Sequence, residues 1–272
     1  MTVNHHKNKT NWSLALGLFS ALLLSGCGGG SSSVDPLGLS GTYQSAPMIV
    51  GGGSARSFIQ YDLAGKPSSI GVRLTEAALS GLPKTTKTLF QIPLPKEANL
   101  TPFNHIEFRY WNHGHDPAGL FEVEHFDIIP FLMTQGERDQ ITATGDDLAR
   151  VLRTPEADAF PIGYAQIPNV DEFYAEARYG TRFFDVVNFT PVLNHEKAYT
   201  TTLFYGYYDG QLNFFEIPVT FPFWKQKQNT TFAFPLPKRV PKSGYYPTAY
   251  RISFDTATKE YVFAMEGLIW KE

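Results

Sequence analysis

The sequence predicts a mainly β fold: antiparallel sheets in a sandwich or barrel-like arrangement, with a few short helices. Three observations lead there. Aromatic residues make up 15% of the chain, alongside 23 glycines and 19 prolines, the balance of a strand-rich domain with many turns. Apolar and aromatic runs end repeatedly at Gly, Pro, Asn or Asp. Long amphipathic helical patterns are hard to find.

The elements follow in order. Residues 57–63 read as a strand, 64–67 (Ala-Gly-Lys-Pro) as a turn and 69–75 as its hairpin partner. Residues 76–79 form a short helical piece, with Thr75 available as N-cap and Gly81 as the stop. Strands are expected at 89–94, 106–111 and 126–133. Residues 137–141 and 146–152 look helical, and the Pro-rich stretch 155–168 irregular. The clearest hairpin joins 200–208 to 211–217 through Asp209-Gly210, since both turn residues tolerate positive φ. Strands at 249–254 and 261–269 close the chain. Pro-Leu-Pro-Lys occurs at 93–96 and again at 235–238, each ahead of a strand. Coincidence in a Pro-rich β chain explains the echo better than a duplication.

Ahead of this domain, Lys7 and Lys9 precede the apolar run 14–24, the layout of a signal peptide. The run is shorter than the ~20 residues a membrane-spanning helix needs. It ends in Leu24-Ser25-Gly26-Cys27, which resembles the lipobox of bacterial lipoproteins. The resemblance implies export, cleavage before Cys27 and lipidation of its thiol, so that the chain is anchored to a membrane rather than spanning it. Gly28, where aspartate would retain the protein at the inner membrane, favours the outer membrane. Residues 1–26 are thus the signal peptide, 27–37 a Gly/Ser-rich tether and 38–272 a single β-rich domain. Cys27 is the single cysteine of the chain, so neither an internal disulfide nor thiol catalysis is available to the domain. Removing residues 1–26 takes the formal charge from −3 to −5, which excludes a generally basic nucleic-acid binder.

Chemistry concentrates in one window. His113, His115, His125 and Asp127 lie within residues 113–127. Residues two apart on a strand face the same side, so His113 with His115, and His125 with Asp127, could present two pairs folded together by the turn at Pro117. Imidazole and carboxylate ligands suit zinc, manganese or iron. The alternative is a solvent-exposed loop whose histidines bond backbone groups. A cupin site fits poorly: six residues separate His115 from Glu122, and Gln166 stands where the second cupin motif has histidine. No Gly-x-Ser-x-Gly elbow is present, and the glycines at 51–53 read as a turn rather than a phosphate loop.

Four stretches carry a wider likeness: residues 69–83; His113-Gly114-His115-Asp116-Pro117-Ala118-Gly119 with His125-Phe126-Asp127; residues 204–210 (Phe-Tyr-Gly-Tyr-Tyr-Asp-Gly); and Phe215-Glu216-Ile217-Pro218-Val219-Thr220. In these the chain resembles a family of secreted bacterial proteins of unknown function, typified by a Thermus protein under sigma-E/anti-sigma-E control. The family pattern, Gly-His-Glu-Pro, His-Phe-Asp-x-His and a later Gly-x-His-Trp, implies a metal centre. This chain keeps His115 and His125 and has Asp116 for the glutamate. Ile129 and Arg182 stand where further histidines would be. A fixed positive charge at Arg182 favours a carboxylate, Asp127 or Glu216, or a bound anion. The resemblance therefore implies a degenerate metal pocket, one in which an internal ion pair or an anionic ligand has replaced the metal, in a non-catalytic ligand- or partner-binding domain with no resident cofactor expected. A metal-dependent enzyme using His113, His115, His125, Asp127 and Glu216 is one alternative, and a structural subunit of a homo-oligomer is another.

Overall fold

A computed structural model of the chain describes residues 38–85, 87–166 and 174–272. The signal peptide, Cys27 and the tether lie outside the described residues, as do residues 167–168 of the Pro-rich stretch. Among the described residues no helix is long and apolar enough to cross a membrane.

The strands assemble into antiparallel sheets that do not close into a barrel. The first sheet takes β1 (Gly41–Gln44), β3 (Gly53–Tyr61), β4 (Pro67–Thr75), β15 (Glu260–Glu266), β14 (Ala249–Asp255) and β12 (Thr230–Ala233) in that order, with β2 (Met48–Val50) paired to β3. The second runs β5 (Lys87–Pro93), β6 (His105–Trp111), β7 (His125–Phe131), β11 (Gln211–Thr220), β10 (Phe204–Tyr208), β9 (Thr181–Asp185) and β8 (Tyr164–Gln166). A small ribbon pairs β13 (Gly244–Tyr246) with β16 (Ile269–Lys271).

One apolar core joins the two large sheets. Ile59, Val72, Phe263 and Met265 of the first meet Ile106, Phe108, Ile128 and Phe215 of the second. The expected strands all form, with ends moved by at most four residues. The Asp209-Gly210 turn forms as expected, with φ of 53° and 73° at its two residues. The expected final strand is interrupted at Gly267 (φ 64°), which separates β15 from β16. Thr75 does not cap the short 3-10 helix Glu76–Leu79. Its hydroxyl instead accepts from the Ser54 amide at 2.9 Å, across the β3–β4 pair. The helix at Gln135–Asp139 starts two residues earlier than the sequence suggests, because Thr134 and Glu137 form a reciprocal capping box there. The helix Val186–Leu193 was not expected. Its signal was Asp185, whose carboxylate accepts from the amides of Val187 and Asn188 at 3.0 Å each.

The second sheet is buried on both faces. Even-numbered residues of β6 (Ile106, Phe108, Tyr110) enter the shared core. The odd ones (His105, Glu107, Arg109, Trp111) lie on the outer face and are also buried. At the strand ends this outer face is sealed by two apolar clusters, one around Phe121, Phe189 and Tyr199 and one around Ile129, Phe131, Tyr179 and Phe214. Between them lies a layer of charge.

Gly206 in β10 makes room for that layer. A Cβ at this position would stand 2.1 Å from the Phe214 ring, and Phe214 lies against the Arg182 guanidinium, 5.4 Å away. Gly206→Val is expected to cost about 2–3 kcal/mol through overpacking, read as a lowered urea midpoint at unchanged m-value.

Candidate functional site

Three side chains of the 113–127 window converge. One ligand atom each from His115, His125 and Asp127 lie within 4.8 Å of one another. His125 and Asp127 sit two apart on β7, fixed on the outer face by pairing with Trp111 and Arg109 of β6. His115 arrives from the preceding loop, where it bridges to Phe121. Its ring stacks on Phe121 and lies 5.2 Å from the ring of His125.

Each of the three is oriented from behind. The Nδ1 of His125 is 2.6 Å from the carbonyl of Val123, and the Nδ1 of His115 is 2.7 Å from that of Asp116. A carbonyl can only accept, so the Nδ1 of each ring carries a proton and donates it. Asp127 Oδ2 accepts from Arg109 Nε and from Trp111 Nε1, each at 2.8 Å. Its Oδ1 faces His125 Nε2 at 3.4 Å. That nitrogen is fully buried and makes no hydrogen bond. Two ligands of one ion bound at about 2.1 Å stand roughly 3.4 Å apart in tetrahedral geometry, so this pair already has the separation a metal requires. Outer partners of this kind hold metal ligands in orientation.

Electrostatics fix the charge state of Asp127 and His115. Burial pushes the Asp127 carboxyl up, but the Arg109 guanidinium and the neighbouring imidazoles outweigh it and hold the pKa at about 2. Burial lowers His115 to about 4, so it is neutral at pH 7. Trp111, Phe121 and Tyr199 wall the cluster, with Trp111 centred 4.5 Å from His115 and Tyr199 5.9 Å from His125.

Behind Asp127 extends an ion-pair network. Arg109 reaches Asp127, Glu216 (2.7 Å) and Glu176 (3.1 Å). Arg182 holds Glu216 and Glu176 at 2.7 Å each. Among the described residues, two guanidinium groups thus face three carboxylates, with Lys87 at the rim 3.6 Å from Glu176. Tyr179 lies under both arginines, 4.7 and 5.3 Å from their centres. Its hydroxyl donates to Glu107, which Arg138 also holds at 2.6 Å.

The expected residues therefore divide. His115, His125 and Asp127 form the cluster. Glu216 is a partner of the arginines rather than a third-side ligand. Arg182 meets Glu216, one of the two carboxylates its charge pointed to, and also Glu176, which was not expected. Ile129 continues the outer face of β7 and packs among Phe131, Tyr179 and Phe214. His113 and Asp116 are exposed and stand apart from the cluster. Sequence reading missed Arg109, Trp111 and Glu176. For the first two a signal exists: β6 alternates polar and apolar residues, and its polar set stands directly across from His125 and Asp127.

Residues 62–110 match the family model described as "TTHB210-like: Hypothetical protein TTHB210". No curated protein and no solved structure matches the chain. The matched segment runs from the β3–β4 turn to Tyr110 of β6. It includes Arg109 and ends before the three-residue cluster. Over this segment the chain is similar to a family of hypothetical proteins.

Proposed function

We propose that this chain is an exported lipoprotein, anchored through Cys27 and favouring the outer membrane, whose β-sandwich domain binds one divalent transition metal at His115, His125 and Asp127. The observation that carries the metal reading is the orphaned Nε2 of His125, held 3.4 Å from Asp127 Oδ1 while the far side of each group is committed to another partner. Two imidazoles and one carboxylate suit zinc, iron(II) or manganese(II). The lipobox residues and the apolar run before them support the anchoring.

The site is a reduced version of the set the family pattern implies, because Ile129 and Arg182 bring no ligand nitrogen. Binding without catalysis is the favoured role. A metal-dependent enzyme is the second reading, since three protein ligands leave positions for water or substrate.

The test is metal analysis of the chelator-stripped chain reloaded with zinc, iron(II) or manganese(II). One equivalent is expected, falling at least 100-fold in affinity in His125→Ala, in line with the 10–100-fold cost of losing even an outer-shell partner. Less than a tenth of an equivalent in the wild-type chain would reject the site.

A further inference from the structure

The end of the sandwich where the described chain begins carries an apolar, lysine-flanked patch. Gly41 of β1 pairs with Tyr61 at the end of β3. The turn that follows, Asp62 to Lys66, is closed by the Asp62 amide donating to the Lys66 carbonyl at 2.9 Å. Its tip is Leu63, 99% exposed. Lys66, in the same turn, places its ammonium 5.9 Å from the centre of the Tyr245 ring. Tyr245 lies edge-on to Trp270 at 5.3 Å, and the two are register partners in the β13–β16 ribbon. Trp270 is 49% exposed and its strand neighbour Ile269 is 44% exposed. Lys238 and Lys271 flank the ribbon, joined by a hydrogen bond from Lys271 Nζ to the Lys238 carbonyl.

A single exposed leucine needs no explanation. An exposed leucine, a tyrosine, a half-exposed tryptophan and lysines on one end of a fold form a different pattern. Tyrosine and tryptophan settle at the headgroup level of a bilayer, with lysine ammonium groups reaching the phosphates. Asp62 and Glu272 also lie at this end, where Lys66, Lys238 and Lys271 outnumber them. Asp62 accepts from the amides of Ala64 and Lys66 at 2.9 Å, and Glu272 accepts from Trp270 Nε1 at 3.2 Å.

The position of the patch names its occupant. Cys27 lies eleven residues before Gly38, a covalent reach of about 38 Å at most. A bilayer holding the lipid of Cys27 therefore lies within reach of the sheet end where β1 enters. Resting on the lipoprotein reading above, we infer that Leu63, Tyr245 and Trp270, with Lys66, form a membrane-docking face that seats the anchored domain on an anionic lipid surface.

Trp270 supplies the test. Trp111 and Trp224 are buried and Trp12 is removed with the signal peptide, so Trp270 is the exposed fluorophore of the described chain. The full-length protein, processed and lipidated in cells, is reconstituted into phosphatidylethanolamine/phosphatidylglycerol vesicles containing lipid brominated on the acyl chains. Mass spectrometry first establishes acylation of Cys27. The expected result is loss of the Trp270 share of the emission, absent in Trp270→Phe and reduced in Leu63→Glu. Acylated, vesicle-bound protein whose quenching is the same with and without Trp270 would overturn the docking face and leave the anchor standing. Unacylated Cys27 would remove the anchor, and the docking face with it.

Discussion

Arg109→Ala is expected to be among the most damaging single substitutions in the domain, costing about 3–5 kcal/mol. At about 2–4 °C per kcal/mol for a domain of this size, the melting temperature falls by roughly 6–20 °C. The reason is geometric. One guanidinium serves Asp127, Glu176 and Glu216, and both Asp127 and Glu216 are almost wholly buried. Removing it leaves Asp127 without its cation and Glu216 with Arg182 alone. A buried charge stripped of its partner costs far more than an exposed pair is worth. Arg178→Ala supplies the contrast: its partner Asp139 is half exposed, so a loss below about 1 kcal/mol is expected. Thermal melts of the two variants decide the point. Equal losses would mean that solvent reaches the Arg109 carboxylates. Because Asp127 and Glu216 can be neutralised by protons, the Arg109→Ala deficit should also shrink as the pH falls through the carboxylate range.

The second large effect is acid sensitivity centred on His105. Its ring is 4% exposed, stacks on Phe131 at 4.9 Å and carries an Nε2 with no partner. Burial, and then the nearby Arg138 charge, lower its pKa from 6.5 to about 4. The sign follows from proton counting. Between pH 6.5 and pH 4 the unfolded chain binds a proton at this position that the folded chain refuses, so folding free energy is lost as the pH falls. The stability is fully present above pH 6.5. By pH 4 the loss reaches on the order of 3 kcal/mol from this residue. His105→Leu keeps an apolar group against Phe131 and removes the titration. Its urea midpoint should therefore change less than that of the wild type between pH 7 and pH 4.5. Parallel pH profiles for the two proteins would show that His105 is solvated.

Much of the fold was legible because it is local. Alternating runs became strands, and Asp209-Gly210 became a hairpin turn because the conformations it requires are ones those residues tolerate. The histidine window was legible in part. His125 and Asp127 obey strand alternation, since they are on a strand. His113 and His115 do not, because 112–116 is a loop bent at Gly114, where φ is 73° and a Cβ would meet the Phe121 carbonyl at 1.8 Å. The bend turns His115 toward β7 and leaves His113 in solvent. The two-residue spacing therefore gave the right neighbours for one pair and the wrong ones for the other.

What the sequence by itself determined is the class of fold, the turns and the residues from which the histidine–aspartate cluster is drawn. Only the tertiary structure decided what β6 does. His105, Glu107, Arg109 and Trp111 alternate with apolar residues, the pattern of a strand with one wet face. The same pattern arises when the polar face is roofed by other segments and its charges meet partners there. Those partners are Glu176 and Glu216, 67 and 107 positions from Arg109. Alternation reports which residues share a face, because that is set by backbone geometry. Whether the face meets water or opposite charge depends on segments distant in sequence, whose packing energy no local pattern records.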